Sequence, residues 1–74
     1  MKKHPEDLVR VSKCAELLVV AYDLTVKASF FTLDVETENL INAALLQLRT
    51  AARAAQASRD AIARELEERG DNGH

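Results

Sequence analysis

Few residues in this chain have the type and spacing to do chemistry. Cys14 is the single thiol, and it stands among Leu17, Leu18 and Ala21. A reactive thiolate needs a nearby His, Lys or helix N-terminus to lower its pKa. No His or basic residue lies one turn from Cys14, so its surroundings predict a small buried hydrophobe. His4 and His74 sit at opposite ends of the chain, each beside an acid (Asp7, Asp71), and two such pairs do not make a metal site. Acids are plentiful, but no Glu-x-x-His pair exists of the kind that builds a di-iron centre in a helical bundle. No nucleophile has a base at a usable spacing. The sequence therefore predicts no catalytic, metal or cofactor residue, and no enzyme.

Two further groups concern recognition. Arg49 and Arg53 are spaced i,i+4, with Arg59 and Arg64 beyond them, which could form a basic strip for phosphates. Interspersed acids, and no aromatic beside the arginines, favour a solvated face that pairs with Glu16 or with Glu65, Glu67 and Glu68. The net charge of −2 gives no electrostatic support for polyanion binding, so nucleic acid is not expected as a partner. Arg69-Gly70-Asp71 spells the tripeptide read by integrins, but three residues at a helix end arise readily by chance. Tyr22 is expected in the core with its hydroxyl at an edge.

The elements that carry these residues follow from the placement of very few breakers. The chain has 2 Gly and 1 Pro in 74 residues. Pro5, followed by Glu6 and Asp7, is a helix start: Pro suits the first helical position, and acids suit the positive end of the dipole. Nothing interrupts a helix from residue 5 to about residue 29. Asp34, with Glu36 and Glu38 behind it, is a second start, running to about residue 69 with Gly70 as its C-terminal cap. Glu6/Arg10, Asp23/Lys27 and Asp60/Arg64 place an acid four residues ahead of a base, the favourable order. Between the helices, Ser29-Phe30-Phe31-Thr32-Leu33 reads as a short apolar connection packed over the bundle end. The whole chain, 1–74, is then one helical-hairpin domain, with 70–74 a frayed tail.

This all-α, two-helix antiparallel hairpin has more apolar surface than it can bury. Hydrophobic residues make up 47% and aromatics only 4%, so the core must come from Leu, Val, Ile and Ala. In the first helix, Leu8, Val11, Ala15, Leu18 and Tyr22 form one seam, and Cys14, Leu17, Ala21, Leu24, Ala28 and Phe31 form another. An ordinary surface helix needs a single stripe. In the second, Ile41, Ala44/Leu45, Leu48, Ala51/Ala52, Ala55, Ile62 and Leu66 form the main stripe, widened by Leu40, Ala43 and Leu46. Lengths of about 25 and 35 residues differ by roughly 15 Å at ~1.5 Å per residue. Folding back near residue 32 sets Tyr22 opposite Ile41 and Leu8 opposite Ala55, leaving Ile62 and Leu66 overhanging.

The surplus predicts a homo-oligomeric bundle with Leu17, Ala21, Leu24, Leu48, Ala51, Ala52, Ala55, Ile62 and Leu66 at the contact between chains, and with Ala55→Glu breaking it. A dimer of hairpins is the simplest closed form, with a trimer or larger ring as the alternative. The longest apolar run, Leu17–Ala21, is far short of the ~20 residues that span a bilayer. Lys2 and Lys3 followed by Pro5 and acids do not read as a signal peptide. A lone Cys suits a reducing compartment, so a cytoplasmic location, or that of an expression host, is expected.

Two resemblances bear on origin. The opening His4-Pro5-Glu6-Asp7-Leu8-Val9-Arg10-Val11 and the close Ala61-Ile62-Ala63-Arg64-Glu65-Leu66-Glu67-Glu68-Arg69-Gly70-Asp71 resemble computationally designed helical-repeat and helical-bundle proteins. That resemblance implies a scaffold built to self-assemble, with no natural ligand. Leu33-Asp34-Val35-Glu36 and Gly70-Asp71 are similar to the turn and tail of the repressor-of-primer (Rop) family, hairpins that dimerise into four-helix bundles and bind RNA. It implies instead a small natural bacterial regulatory or binding module. That family reads RNA with a face of its first helix. Here the corresponding face carries Arg10 and Lys13 but also Glu16 and Asp23, so no RNA-binding residue is transferred.

Overall fold

The computed structural model describes residues 4–72, and side chains through residue 68. It contains two helices, α1 (Pro5–Ser29) and α2 (Val35–Asn72), packed on each other. The molecule measures 60 × 15 × 14 Å. Helices of 25 and 38 residues laid end to end would reach well beyond 60 Å, so they lie side by side as a hairpin.

Both starts follow from the sequence locally. The Asp7 carboxylate accepts the backbone N–H of His4 at 2.8 Å, while the Asp7 N–H donates to the His4 carbonyl at 2.9 Å. Pro5 at the first turn removes an N–H that would have no partner there. Asp34 caps α2: its Oδ1 accepts the Thr37 N–H at 2.6 Å and its Oδ2 the Thr37 hydroxyl at 3.0 Å. These bonds to the ionised form hold the Asp34 carboxyl below its ordinary value, the backbone N–H first and the hydroxyl second.

The ends depart from expectation. α1 closes through the Phe30 N–H to Lys27 and the Phe31 N–H to Ala28, both i,i+3 bonds. No residue among those described has a positive φ. α2 passes through Gly70 to Asn72. Glycine costs only about 1 kcal/mol in a helix interior, and the Ala61–Glu68 run ahead of it consists of strong helix formers. Gly73 and His74 lie outside the described residues. Of the expected ion pairs, Asp23–Lys27 forms at 3.7 Å. Asp60 meets Arg59 at 3.5 Å instead of Arg64, and Glu16 meets Lys13 at 4.0 Å. Glu6 and Arg10 do not pair with each other. These exposed pairs contribute about 0–1 kcal/mol each and do not hold the fold.

The seam between the helices does hold it. Inward residues of α1 (Leu8, Val11, Ala15, Leu18, Tyr22, Thr25, Ser29) recur at alternating steps of three and four. Those of α2 (Ile41, Leu45, Leu48, Ala52, Ala55, Arg59, Ile62) recur at the same steps in the opposite order. Matching the two series sets Ala15 level with Ala55, Leu18 with Ala52 and Leu8 with Ile62. A surface hollow lined by Val19, Tyr22, Arg49, Ala52 and Arg53 fixes the same alignment. Tyr22 therefore sits beside Leu48 and Arg49, two helical turns from the expected Ile41. The cause lies in the connection: Phe30–Asp34 carries the chain beyond the end of α1 before α2 turns back. Ile62 is accordingly 7% exposed, inside the hairpin, and Leu66 is half-buried. The connection covers nothing: Phe31 is 82% and Leu33 99% exposed, and Phe30 is also open.

Ile62→Ala should destabilise the chain by roughly 2–5 kcal/mol, as for a packed aliphatic side chain. A denaturant midpoint that scarcely moves would return Ile62 to the overhang. At the other end, Asp34→Ala should lower the melting temperature, whereas Asp34→Asn should retain most of the cap. Because the folded pKa lies below the unfolded one, Asp34 stabilises fully above the unfolded value, and its contribution fades as pH falls through the folded one. Asp34→Asn should flatten that part of the acid limb in a pH series of thermal melts.

Candidate assembly surface

At 100° per residue, the second seam of α1 lies roughly 100° around the helix from the first. Cys14, Leu17, Ala21, Leu24, Ala28 and Phe31 alternate steps of three and four, which is a heptad stripe. Leu17 is 55% and Leu24 59% exposed; Ala21, at the stripe's inner edge, is half-buried. α2 carries a second stripe of the same spacing, Leu40, Ala44, Gln47, Ala51, Ala54, Ser58 and Ala61, about 100° from its own inward line. Ala51 is half-buried and the others are exposed. Leu46, Gln47, Thr50, Ala51 and Ala54 line a shallow hollow along it.

The helices run in opposite directions, so the sense of rotation reverses between them. A stripe displaced the same way around each helix then emerges on the same side of the hairpin. One broad side thus combines the Leu-rich stripe of α1 with the Ala-rich stripe of α2. The opposite side carries Glu16, Asp23, Arg49 and Arg53, all exposed.

The expected contact residues divide between the two seams. Leu17, Leu24 and, at its edge, Ala21 lie on the uncovered α1 stripe, with Ala51 on that of α2. Leu48 and Leu66 are half-buried along the inner seam. Ala52, Ala55 and Ile62 are buried between the helices and present almost nothing to a neighbour. Ala55→Glu would therefore strike the hairpin itself. Ala54 and Ala61 belong to neither expected stripe, and Ala44, expected on the main one, lies on the outer one with them. Their heptad spacing was readable, but the Ala-rich run around them satisfies any helical period. Cys14 corrects another expectation: it is exposed, because the seam it belongs to faces away from α2.

Arg49 and Arg53 are exposed and make no ion pair with Glu16, which bonds Lys13 instead. Tyr22 is half-buried beside them. Among the described residues no group of His, Cys, Asp and Glu could hold a metal ion, and no helix is long and apolar enough to cross a membrane. No protein-family model matches the chain, and no curated protein or solved structure shows significant similarity to it.

At high dilution an alkylating reagent should modify Cys14 without denaturant, at the rate of an unstructured thiol. Slow labelling that is independent of protein concentration would mean that Cys14 is covered within its own chain.

Proposed function

We propose that this chain is a structural module whose function is to assemble with copies of itself into a helical bundle, with a dimer of hairpins as the simplest closed form. The observation that supports it is the pair of heptad stripes on one side of a chain whose own seam is already filled. The Pro-Glu-Asp opening and the Ala/Arg/Glu-rich close are in keeping with a designed scaffold, to which the same reading assigns no ligand.

Energetics favour the reading. A two-helix unit of this size seldom supplies more than ~3–5 kcal/mol from its own core. Burying each exposed Leu adds roughly 1.5–3 kcal/mol, and a two-fold contact repeats every burial. One side of a molecule 60 Å long and 15 Å across offers roughly 900 Å², against about 800 Å² per partner in stable complexes.

Light scattering after size exclusion should return a small multiple of the 8.2 kDa chain mass at micromolar concentration. Leu24→Glu, which puts a charge on the α1 stripe without touching the inner seam, should weaken association at least ~100-fold, about 2.7 kcal/mol, while leaving a helical chain. A folded 8.2 kDa species in the unsubstituted protein would overturn the proposal and assign the stripes to a different protein.

A further inference from the structure

Resting on that reading, we infer that two copies pack face to face about a two-fold axis parallel to their helices. Both connections then lie at the same end, and α1 of each copy rests on α2 of the other.

The first support is a match of size at equal height. Within the hairpin, Leu17 is level with the Ala51–Ala54 pair, Leu24 with Ala44–Gln47, and Phe31 with Leu40. An axis parallel to the helices preserves height, so each large side chain of one copy meets the small ones of the other. The exposed Phe31 and Leu40 cover each other. All four helix spacings then stay similar, within the usual 8–10 Å.

The competing arrangement has its axis across the helices and lays α1 on α1 and α2 on α2. That contact sets Leu17 and Leu24 against their own kind while Ala lies against Ala. One pair of helices is forced apart where the other closes, and a rigid hairpin cannot satisfy both.

Charge gives the same answer independently. Arg10, one helical turn before Cys14, continues the α1 stripe towards the chain's start. Glu65 and Glu68 border the α2 stripe at that end of the molecule. The parallel axis brings these opposite charges together. The crossed axis brings Glu65 close to Asp34 of the other copy. Like charges so placed select against that arrangement.

The test is a distance. In a Cys14→Ala background, a spin label on Leu33→Cys marks the tip of each connection, and pulsed electron paramagnetic resonance measures their separation. The expected value is no more than roughly 30 Å, the diagonal of a bundle with 8–10 Å helix spacing plus two label arms. A single separation of about 50 Å or more, approaching the 60 Å length of the molecule, would overturn the arrangement while leaving self-assembly standing. No dipolar coupling, together with an 8.2 kDa mass for the unsubstituted chain, would overturn both. A second route does not depend on labelling the connection. Leu17→Cys and Ala54→Cys chains, each lacking Cys14, are mixed in a glutathione redox buffer. The mixed disulfide should dominate. Preferential cross-linking of each chain to its own kind would overturn the inference.

Discussion

At the middle of the hairpin Ala15, only 2% exposed, stands level with Ala55 and a turn from Ala52. No larger side chain keeps the backbones apart there, so the helices approach closely. Leu18, Tyr22 and Leu48 fill the seam on one side of this point, and Leu8 and Ile62 on the other. The alternation of threes and fours on both helices is what allows one alignment to satisfy every inward position at once. A shift of one heptad would still match apolar to apolar, but it would set the Ala pair against Leu and open gaps where Leu now packs on Ala. Alignment, and with it the placement of everything on the outer faces, depends on that single close contact.

The same economy of volume explains the outer faces. α2 places small residues nearly all the way round its middle, with Ala52 and Ala55 turned inward and Ala51 and Ala54 turned out. It can be approached closely from two directions. α1 has Ala15 on its inner side, but Leu17, Leu24 and Phe31 on its outer one. The hairpin therefore presents ridges along one edge of its apolar side and a trough along the other. A surface of that form suits a copy of itself turned about the long axis.

How far the fold was legible varied with the type of signal. Pro5 with Asp7, and Asp34 with Thr37, act within a single turn, and both helix starts fall where those residues dictate. Gly70 misled because glycine permits a cap without enforcing one. The alignment differs from the one the spacing predicts because a connection with no Gly carries no turn geometry of its own. Phe30-Phe31-Thr32-Leu33 extends past the end of α1, and only the volumes of residues far apart in sequence decide how far back α2 slides. The surplus of apolar seams was plain from spacing. Which residue of the Ala-rich run belongs to which seam was not, because Ala is compatible with either.

The connection itself is the least settled part of the chain by its own chemistry. Phe30, Phe31 and Leu33 lie open to water, held by the Thr32 hydroxyl to Ser29 at 3.3 Å and by the last backbone bonds of α1. In an isolated hairpin this apolar tip has nothing to rest on. Placing two such tips at one end changes their surroundings without changing their conformation, since Phe31 then lies over a Leu40 that is equally uncovered. The same step brings Arg10 towards Glu65 at the opposite end. Apolar contact at one pole and ionic contact at the other fix the sense of the axis, and neither is available to a hairpin alone.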